Sequence, residues 1–544
     1  INEAWSYDVY AMEGKTTIKQ TQTGNLDTQR VLDLLAAPDG GASICAGGYN
    51  PFGRNSVSQE CADYMTLDAT LAREFNQRIV QGYVSGDLLE LPSGMMSVVL
   101  GYESRRFDYE LDPGSLSGPV SGFNTQSPAA GKNRFDDIFA EAFIPLLDGK
   151  DYADSLDLTL GFRSSESQFT DIANGISGDK DRNSAYKAEL SWVIASDLPR
   201  IRASYQRAVR APNFGELFDG GGSAPQYFDP CSVSTKFRTA NGQAGADLCA
   251  ATGVGAPDSY VQTPGTQASI NTSGNVNLKP ETADTFTLGA VHNFSNGVAM
   301  SLDYYNIDIE DAIIAPNVNL IIADCYNYYG NNPGLDGDYS SCQYIVRGGG
   351  DIFFLADPNT ADGNIPGINS GFIKTSGLDF QAGYGFDTGL LGGAYVKLDM
   401  YANYLLEYKT QELDFLPAID YADTVAYFGA GLGQSFPKFK VNLNASINFG
   451  DVEWALKGRY IDGMKNRLAA EMPIETEPSG TSGIMYWDTA LTYRIGEHYS
   501  LRLGVNNLFD TEPELYAPNV QSGTDPSLYD VVGRRITLAA NIKF

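Results

Sequence analysis

Residues 441–449 read Val441-Asn442-Leu443-Asn444-Ala445-Ser446-Ile447-Asn448-Phe449. Every odd position is apolar, and every even one is Asn or Ser. Successive side chains of a β-strand point to opposite faces, so this stretch makes a strand with one apolar face and one wet face. Residues 397–408 repeat the pattern. Leu398, Met400, Ala402, Tyr404, Leu406 and Tyr408 fall on one side, and Lys397, Asp399, Asn403 and Glu407 on the other. Leu156, Leu158, Leu160 and Phe162 alternate with Asp157, Thr159, Gly161 and Arg163. At the end, Ile536, Leu538, Ala540, Ile542 and Phe544 oppose Arg535, Thr537, Asn541 and Lys543. A soluble sandwich alternates too. Here the strands are long and the polar face is heavily charged. The apolar face ends in Tyr, Trp or Phe, as the interfacial girdle of a transmembrane barrel does.

The same alternation predicts strands near 1–12, 14–24, 73–87, 94–108, 133–146, 154–168, 182–195, 200–210, 281–294, 297–310, 371–386, 394–410, 434–449, 451–463, 484–495, 498–508 and 529–544, about seventeen in all. Their connections alternate in length. Short turns include Glu13-Gly14-Lys15, Ser196-Asp197-Leu198-Pro199, Phe294-Ser295-Asn296-Gly297 and Gly450-Asp451. Between them lie long links at 25–72, 109–132, 211–280, 311–370, 411–433, 464–483 and 509–528. Short turns on one rim and long loops on the other describe an all-β, antiparallel outer-membrane barrel. A short helix is expected around Asp33-Leu34-Leu35 inside the first long loop.

Composition narrows the function classes. The 58 Gly, 32 Tyr and 27 Phe of this 544-residue chain suit many strands and turns. No run of about 18 apolar residues occurs, so no transmembrane helix is expected. A barrel strand meets lipid only at every second residue, and the mean hydropathy of -0.22 is compatible with that. The net charge of -30 argues against nucleic acid, which needs a basic footprint. Two His residues, His292 and His498, leave little room for an imidazole metal site or a His-based triad. The carboxylates show no paired catalytic pattern, so no enzyme is expected.

Six cysteines fall near one another in pairs: Cys45 with Cys61, Cys231 with Cys249, and Cys325 with Cys342. All six lie in long links, on the one rim that would face an oxidising exterior. Local disulfides are therefore expected, each bracing a long insertion.

Residues 202–218 read Arg-Ala-Ser-Tyr-Gln-Arg-Ala-Val-Arg-Ala-Pro-Asn-Phe-Gly-Glu-Leu-Phe. This resembles a segment of TonB-dependent receptors in which a strand ends in Arg-Ala-Pro and enters a loop. After the loop, Asn277-Leu278-Lys279-Pro280-Glu281 is similar to the family's Asn-Leu-Lys-Pro-Glu motif, and Gly504-Val505-Asn506-Asn507-Leu508-Phe509-Asp510 to its penultimate-strand motif. The terminal Phe544 matches the assembly signal common in such barrels. The resemblance covers nearly the whole chain, taken as one barrel domain over 1–544. It implies a Gram-negative outer-membrane importer of about 22 strands around a plug. Partners implied are TonB-ExbB-ExbD, outer-membrane lipids and a small-molecule or oligosaccharide cargo. This sequence shows neither plug nor TonB box. The expectation is that about five strands are missing before Ile1 and that the chain is a fragment of a longer polypeptide, the missing part being either a separate chain or simply outside this sequence.

Two loops carry the binding candidates. Tyr227, Phe228 and Tyr260 lie in 211–280; Tyr326, Tyr328, Tyr329, Tyr344, Phe353 and Phe354 lie in 311–370. Aromatic faces amid Asn and Asp suit sugars or flat organic ligands, and equally suit packing of the loops into a cap. No cofactor is expected, apart from a Ca²⁺ that Asp336, Asp338, Asp357 and Asp362 would hold. Arg202, Arg207 and Arg210 are placed on the lumen wall, facing plug carboxylates or neighbouring barrel carboxylates. The function expected is active import of a scarce nutrient, an oligosaccharide or a siderophore. The alternatives are a barrel scaffold that binds a surface lipoprotein, and a passive porin.

Overall fold

The structure is a computed structural model. It describes residues 5–52, 57–122, 126–219, 222–227, 229–262, 268–315, 318–348, 351–354, 364–389, 393–427, 434–466, 479–516 and 523–543. Phe544, Phe228, Asp357 and Asp362 lie outside the described residues.

Among the described residues, sixteen long strands form one antiparallel meander: β1 (Trp5–Leu26), β2 (Thr66–Leu91), β3 (Gly94–Asp112), β4 (Ala129–Lys150), β5 (Ala153–Asp171), β6 (Asp181–Val193), β7 (Arg200–Arg210), β8 (Glu281–Asn293), β9 (Val298–Glu310), β10 (Phe372–Asp387), β11 (Tyr395–Gln411), β12 (Phe439–Phe449), β13 (Val452–Ile461), β14 (Ile484–Ile495), β15 (Tyr499–Asn506) and β16 (Arg535–Ile542). Each pairs with the next along the chain. Two two-residue ladders, Ile176–Ser177 and Ile419–Asp420, bring the sheet to 18 strands. Among the described residues no ladder joins β1 to β16.

The seventeen expected strands become sixteen because Glu13-Gly14-Lys15 is not a turn. β1 runs straight through it, with Glu13 opposite Arg78, Gly14 opposite Gln77 and Lys15 opposite Asn76. Two cross-strand ion pairs, Glu13–Arg78 at 2.9 Å and Lys15–Glu74 at 2.5 Å, flank the glycine. Gly14 is absent from the glycines with positive φ, whereas Gly297 (φ 87°) and Gly450 (φ 57°) do turn the chain. Glycine permits a turn but does not impose one.

Register and alternation sort the two faces. One carries Val80, Leu100, Tyr102, Ile138, Leu160, Phe162, Leu288, Leu302, Leu398, Leu491, Leu501 and Leu538, all large apolar residues left exposed. Such a belt is unstable in water and belongs against lipid. The other face carries Glu103, Arg105, Asp137, Arg163, Arg202, Asp303 and Asn442 to Asn448 at alternate positions, and lines the lumen.

The long links fold into compact caps with cores of their own. The first holds α1 (Thr28–Ala36), as expected near Leu34, and α2 (Gln59–Met65), around Leu34, Cys45, Cys61 and Met65. A second core joins three different links through Phe237, Leu248, Ile321, Ile322, Tyr326, Leu413 and Leu416. A third gathers Val425, Ile461, Met464, Tyr486, Tyr516 and Tyr529. The disulfides are the three local ones, with Cα–Cα distances of 5.1, 5.7 and 4.9 Å in chain order.

Candidate functional site

The motif segments meet at the top of β7 and β8. Arg210 closes β7 opposite Glu281, which opens β8. Its Nε donates to Glu281 Oε1 at 2.6 Å and its Nη1 to Glu216 Oε2 at 3.0 Å. Glu216 belongs to α3 (Phe214–Phe218), whose N-cap Asn213 forms a reciprocal capping box with it. Glu281 Oε2 also accepts the Ile313 N–H at 2.9 Å. The Arg-Ala-Pro and Asn-Leu-Lys-Pro-Glu segments therefore form one junction, with Leu217, Phe218, Val276, Leu278 and Ile313 packed beneath it.

α3 projects its aromatics onto the lumen wall. Phe214 meets Phe75 and Tyr109 at 5.3 Å each. Phe75, Phe107, Phe135 and Phe169 continue as a ladder across β2 to β5, at 5.8, 6.1 and 5.9 Å. Phe218 fits because position 131 is glycine: a Cβ there would stand 2.3 Å from the ring.

One layer deeper, four charges form a closed set. Arg105 Nη2 lies 2.8 Å from Asp137 Oδ2, and Arg105 Nε 2.8 Å from Glu103 Oε1. Arg163 pairs with the same Asp137 and with Glu103 at 2.7 Å. The guanidinium groups also lie over Phe135 and Phe139, at 4.9 and 5.6 Å. A cavity of about 430 Å³, lined by Gln81, Phe139, Glu141, Arg163, Lys187 and Gln206, opens into the lumen here. This part of the site was missed in the sequence. Its signal was present, as Phe and charge at alternate positions of four strands, but the strands' mutual register was not.

Arg202 pairs on the lumen face with Asp303 at 2.7 Å, filling the space left by Gly289. Arg207 requires a correction. It shares a face with Ile201, Ala203, Tyr205 and Val209, so it points to lipid, where it pairs with Asp284 and lies 5.8 Å over the Tyr186 ring. All three arginines meet barrel carboxylates.

The loop aromatics converge on one another. Tyr326 is 1% exposed and takes Phe237 edge-on at 5.0 Å. Tyr260, Tyr328, Tyr329 and Tyr344 are half-buried against the same core, and Tyr344 stacks on Phe415 of a third link at 5.0 Å. A buried ion pair ties the two main loops together. Arg347 donates to Asp229 Oδ2 at 2.6 Å and Oδ1 at 3.0 Å, with side-chain exposures of 0% and 2%. Burial works to lower the Arg347 pKa, but Asp229 and the Tyr326 hydroxyl at 3.2 Å carry it above the ordinary value. Burial pushes Tyr326 and Tyr328 up as well. Tyr227, Phe353 and Phe354 lie in the short strands Gly222–Tyr227 and Asp351–Phe354. Asp336 and Asp338 serve a turn, in which the Asp338 N–H donates to Asp336 Oδ1 at 2.9 Å. Among the described residues no three His, Cys, Asp or Glu gather as metal ligands.

The family described as TonB dependent receptor-like, beta-barrel matches this sequence over residues 2–508. The chain belongs to the TonB-dependent receptor family. A sequence search among curated proteins gives no match. Among solved structures, the ferric enterobactin receptor PfeA of Pseudomonas aeruginosa, a mutant in complex with enterobactin, aligns with a TM-score of 0.54 at 17% identity, over 99% of this chain and 60% of its own. The ferric-catecholate import receptor Fiu of E. coli K12 gives 0.51 at 14%, over 100% and 62%. The copper transporter OprC gives 0.51 at 11%, over 100% and 63%. The chain thus spans about three-fifths of the length of these solved proteins, and the likeness is one of fold. As a TonB-dependent receptor barrel it resides in the Gram-negative outer membrane. Its long-loop rim is the extracellular one, where the three disulfides lie.

Proposed function

We propose that the chain is the barrel of a TonB-dependent active transporter that imports a scarce nutrient. The observation that carries this reading is the order of layers along the barrel axis. A cap cross-braced between loops stands over an aromatic ladder, and below it lies a charged lumen with a cavity. Aromatic faces next to fixed charges suit a metal-siderophore or an oligosaccharide as cargo. The similar solved structures are a ferric enterobactin receptor, a ferric-catecholate import receptor and a copper transporter, so ferric siderophores are the first cargo to try. Energy would come from TonB-ExbB-ExbD through a plug. The test deletes the gene in its host and supplies one ferric siderophore as the only iron source. Loss of growth, restored by the gene but not in a strain without TonB, is the expected result. If deletion changes growth on no siderophore and no oligosaccharide, import is the wrong activity.

A further inference from the structure

Three arginines stand side by side on the lipid face of this barrel. Arg78 on β2 is directly opposite Arg106 on β3, and Arg106 is directly opposite Arg134 on β4. Cross-strand neighbours have Cβ atoms roughly 5 Å apart, and like charges placed so repel. All three are exposed. Glu13 takes Arg78 at 2.9 Å, and Asp136 takes Arg134 at 2.8 Å while also accepting from Tyr102 and Ser104. The next cation outward, Lys132, faces Asp108 at 3.6 Å. Arg106, in the middle, has no carboxylate partner among the described residues.

Height decides what meets this row. Towards the short-turn rim the same face continues as Val80, Val84, Leu100, Tyr102 and Ile138, all apolar and exposed. From Val80 to Leu89 is about ten residues, the length of strand that crosses the hydrocarbon layer. Arg78 stands two residues outward of Val80, and Arg106 four residues outward of Tyr102, on the extracellular side, at the level of lipid headgroups. A phosphate between them would turn mutual repulsion into charge-assisted hydrogen bonds from planar guanidinium forks.

We propose that Arg78, Arg106 and Arg134 form a binding site for the phosphate of an anionic glycolipid headgroup in the outer leaflet, with its acyl chains along Val80, Leu100 and Ile138. The site is on the outer wall, apart from the lumen and the loop cap.

The intact receptor is placed in phosphatidylcholine nanodiscs with a bisphosphorylated glycolipid or its dephosphorylated form, and retained lipid is counted by native mass spectrometry. The phosphorylated form should be retained preferentially. Arg106→Gln should weaken retention roughly tenfold, the worth of one charge-assisted contact. Arg182→Gln, whose arginine is already paired with Glu166 at 3.0 Å, should leave it unchanged. Inorganic phosphate at millimolar concentration should not displace the glycolipid. Heat-modifiable gel mobility of each variant reports folding. Equal retention of the two glycolipids, equal loss in both variants, or displacement by free phosphate would each overturn the assignment. Should Arg106→Gln fail to fold, Arg106→Lys serves. It keeps the charge and loses the fork, and unchanged retention there would refute guanidinium recognition.

Discussion

The Asp229–Arg347 pair is the contact that should hold the loop cap shut. The residues are 118 positions apart in sequence, and their side chains are removed from water. Removing one member of a buried pair strands the other charge, at about 3–5 kcal/mol. The two deletions should differ. With Arg347→Met, Asp229 keeps the Cys231 N–H at 3.0 Å as donor, which favours the low end of that range. With Asp229→Leu, Arg347 retains the Tyr326 hydroxyl at 3.2 Å and the Tyr260 ring 5.7 Å away, neither of them anionic, so the high end applies. Replacing both strands neither charge, takes only the carboxylate acceptor from the Cys231 N–H, and should cost far less than the sum. A loss of about 3 kcal/mol raises the open fraction of the cap roughly 100-fold, and proteolysis under native conditions follows that fraction. The assay is protease cleavage of the receptor in mild detergent, with the barrel monitored by heat-modifiable mobility. Cleavage in 211–280 and 311–370 should accelerate about 100-fold or more in the single variants, and much less in the double one. If the singles cleave at the wild-type rate, or the double is as bad as the two effects added, the pair is not what closes the cap.

Other perturbations separate the cap from the wall. Reducing the three disulfides, which span separations of 16, 18 and 17 residues, should cost the loops about 3 kcal/mol each and speed their cleavage. The strand signal in circular dichroism should persist, and its loss would show that the bridges hold the barrel. Gly131→Ala drives a methyl into Phe218 and should lower stability by about 1–3 kcal/mol, with Phe218→Ala in the same chain recovering part of it. A melting temperature unchanged by Gly131→Ala would refute that contact. Burial raises Tyr516 in its loop to about 12, and its hydroxyl lies 3.0 Å from Ser435 Oγ. The unfolded tyrosine ionises from about pH 10. The folded loop's advantage is therefore complete below pH 10 and is lost as pH rises towards 12, which tyrosinate absorbance compared with Tyr516→Phe will report.

Alternation has a period of two residues and is a local property, so fifteen of the sixteen strands were legible one for one, although the starts of β2, β12 and β16 fell at Thr66, Phe439 and Arg535 rather than at 73, 434 and 529. The cysteine pairs were legible for the same reason, each lying within 18 residues of its partner. Where the sequence misled, partners outside the local window decided. Gly14 stayed extended because β2 runs alongside it, and Arg207 faces lipid because the register of β6 to β8 puts it beside Tyr186 and Asp284.

The sequence by itself determined a membrane barrel, the rim on which each loop lies, the disulfides and the family, since each is written in nearest neighbours or short motifs. Only the tertiary structure decided that the loop tyrosines gather around one core, that Asp229 finds Arg347, that α3 carries Phe214 and Phe218 onto the lumen wall, and that three arginines share one row outside. Those contacts join residues from about 28 to more than 100 positions apart. Their formation depends on sheet register and loop closure, which no local pattern encodes.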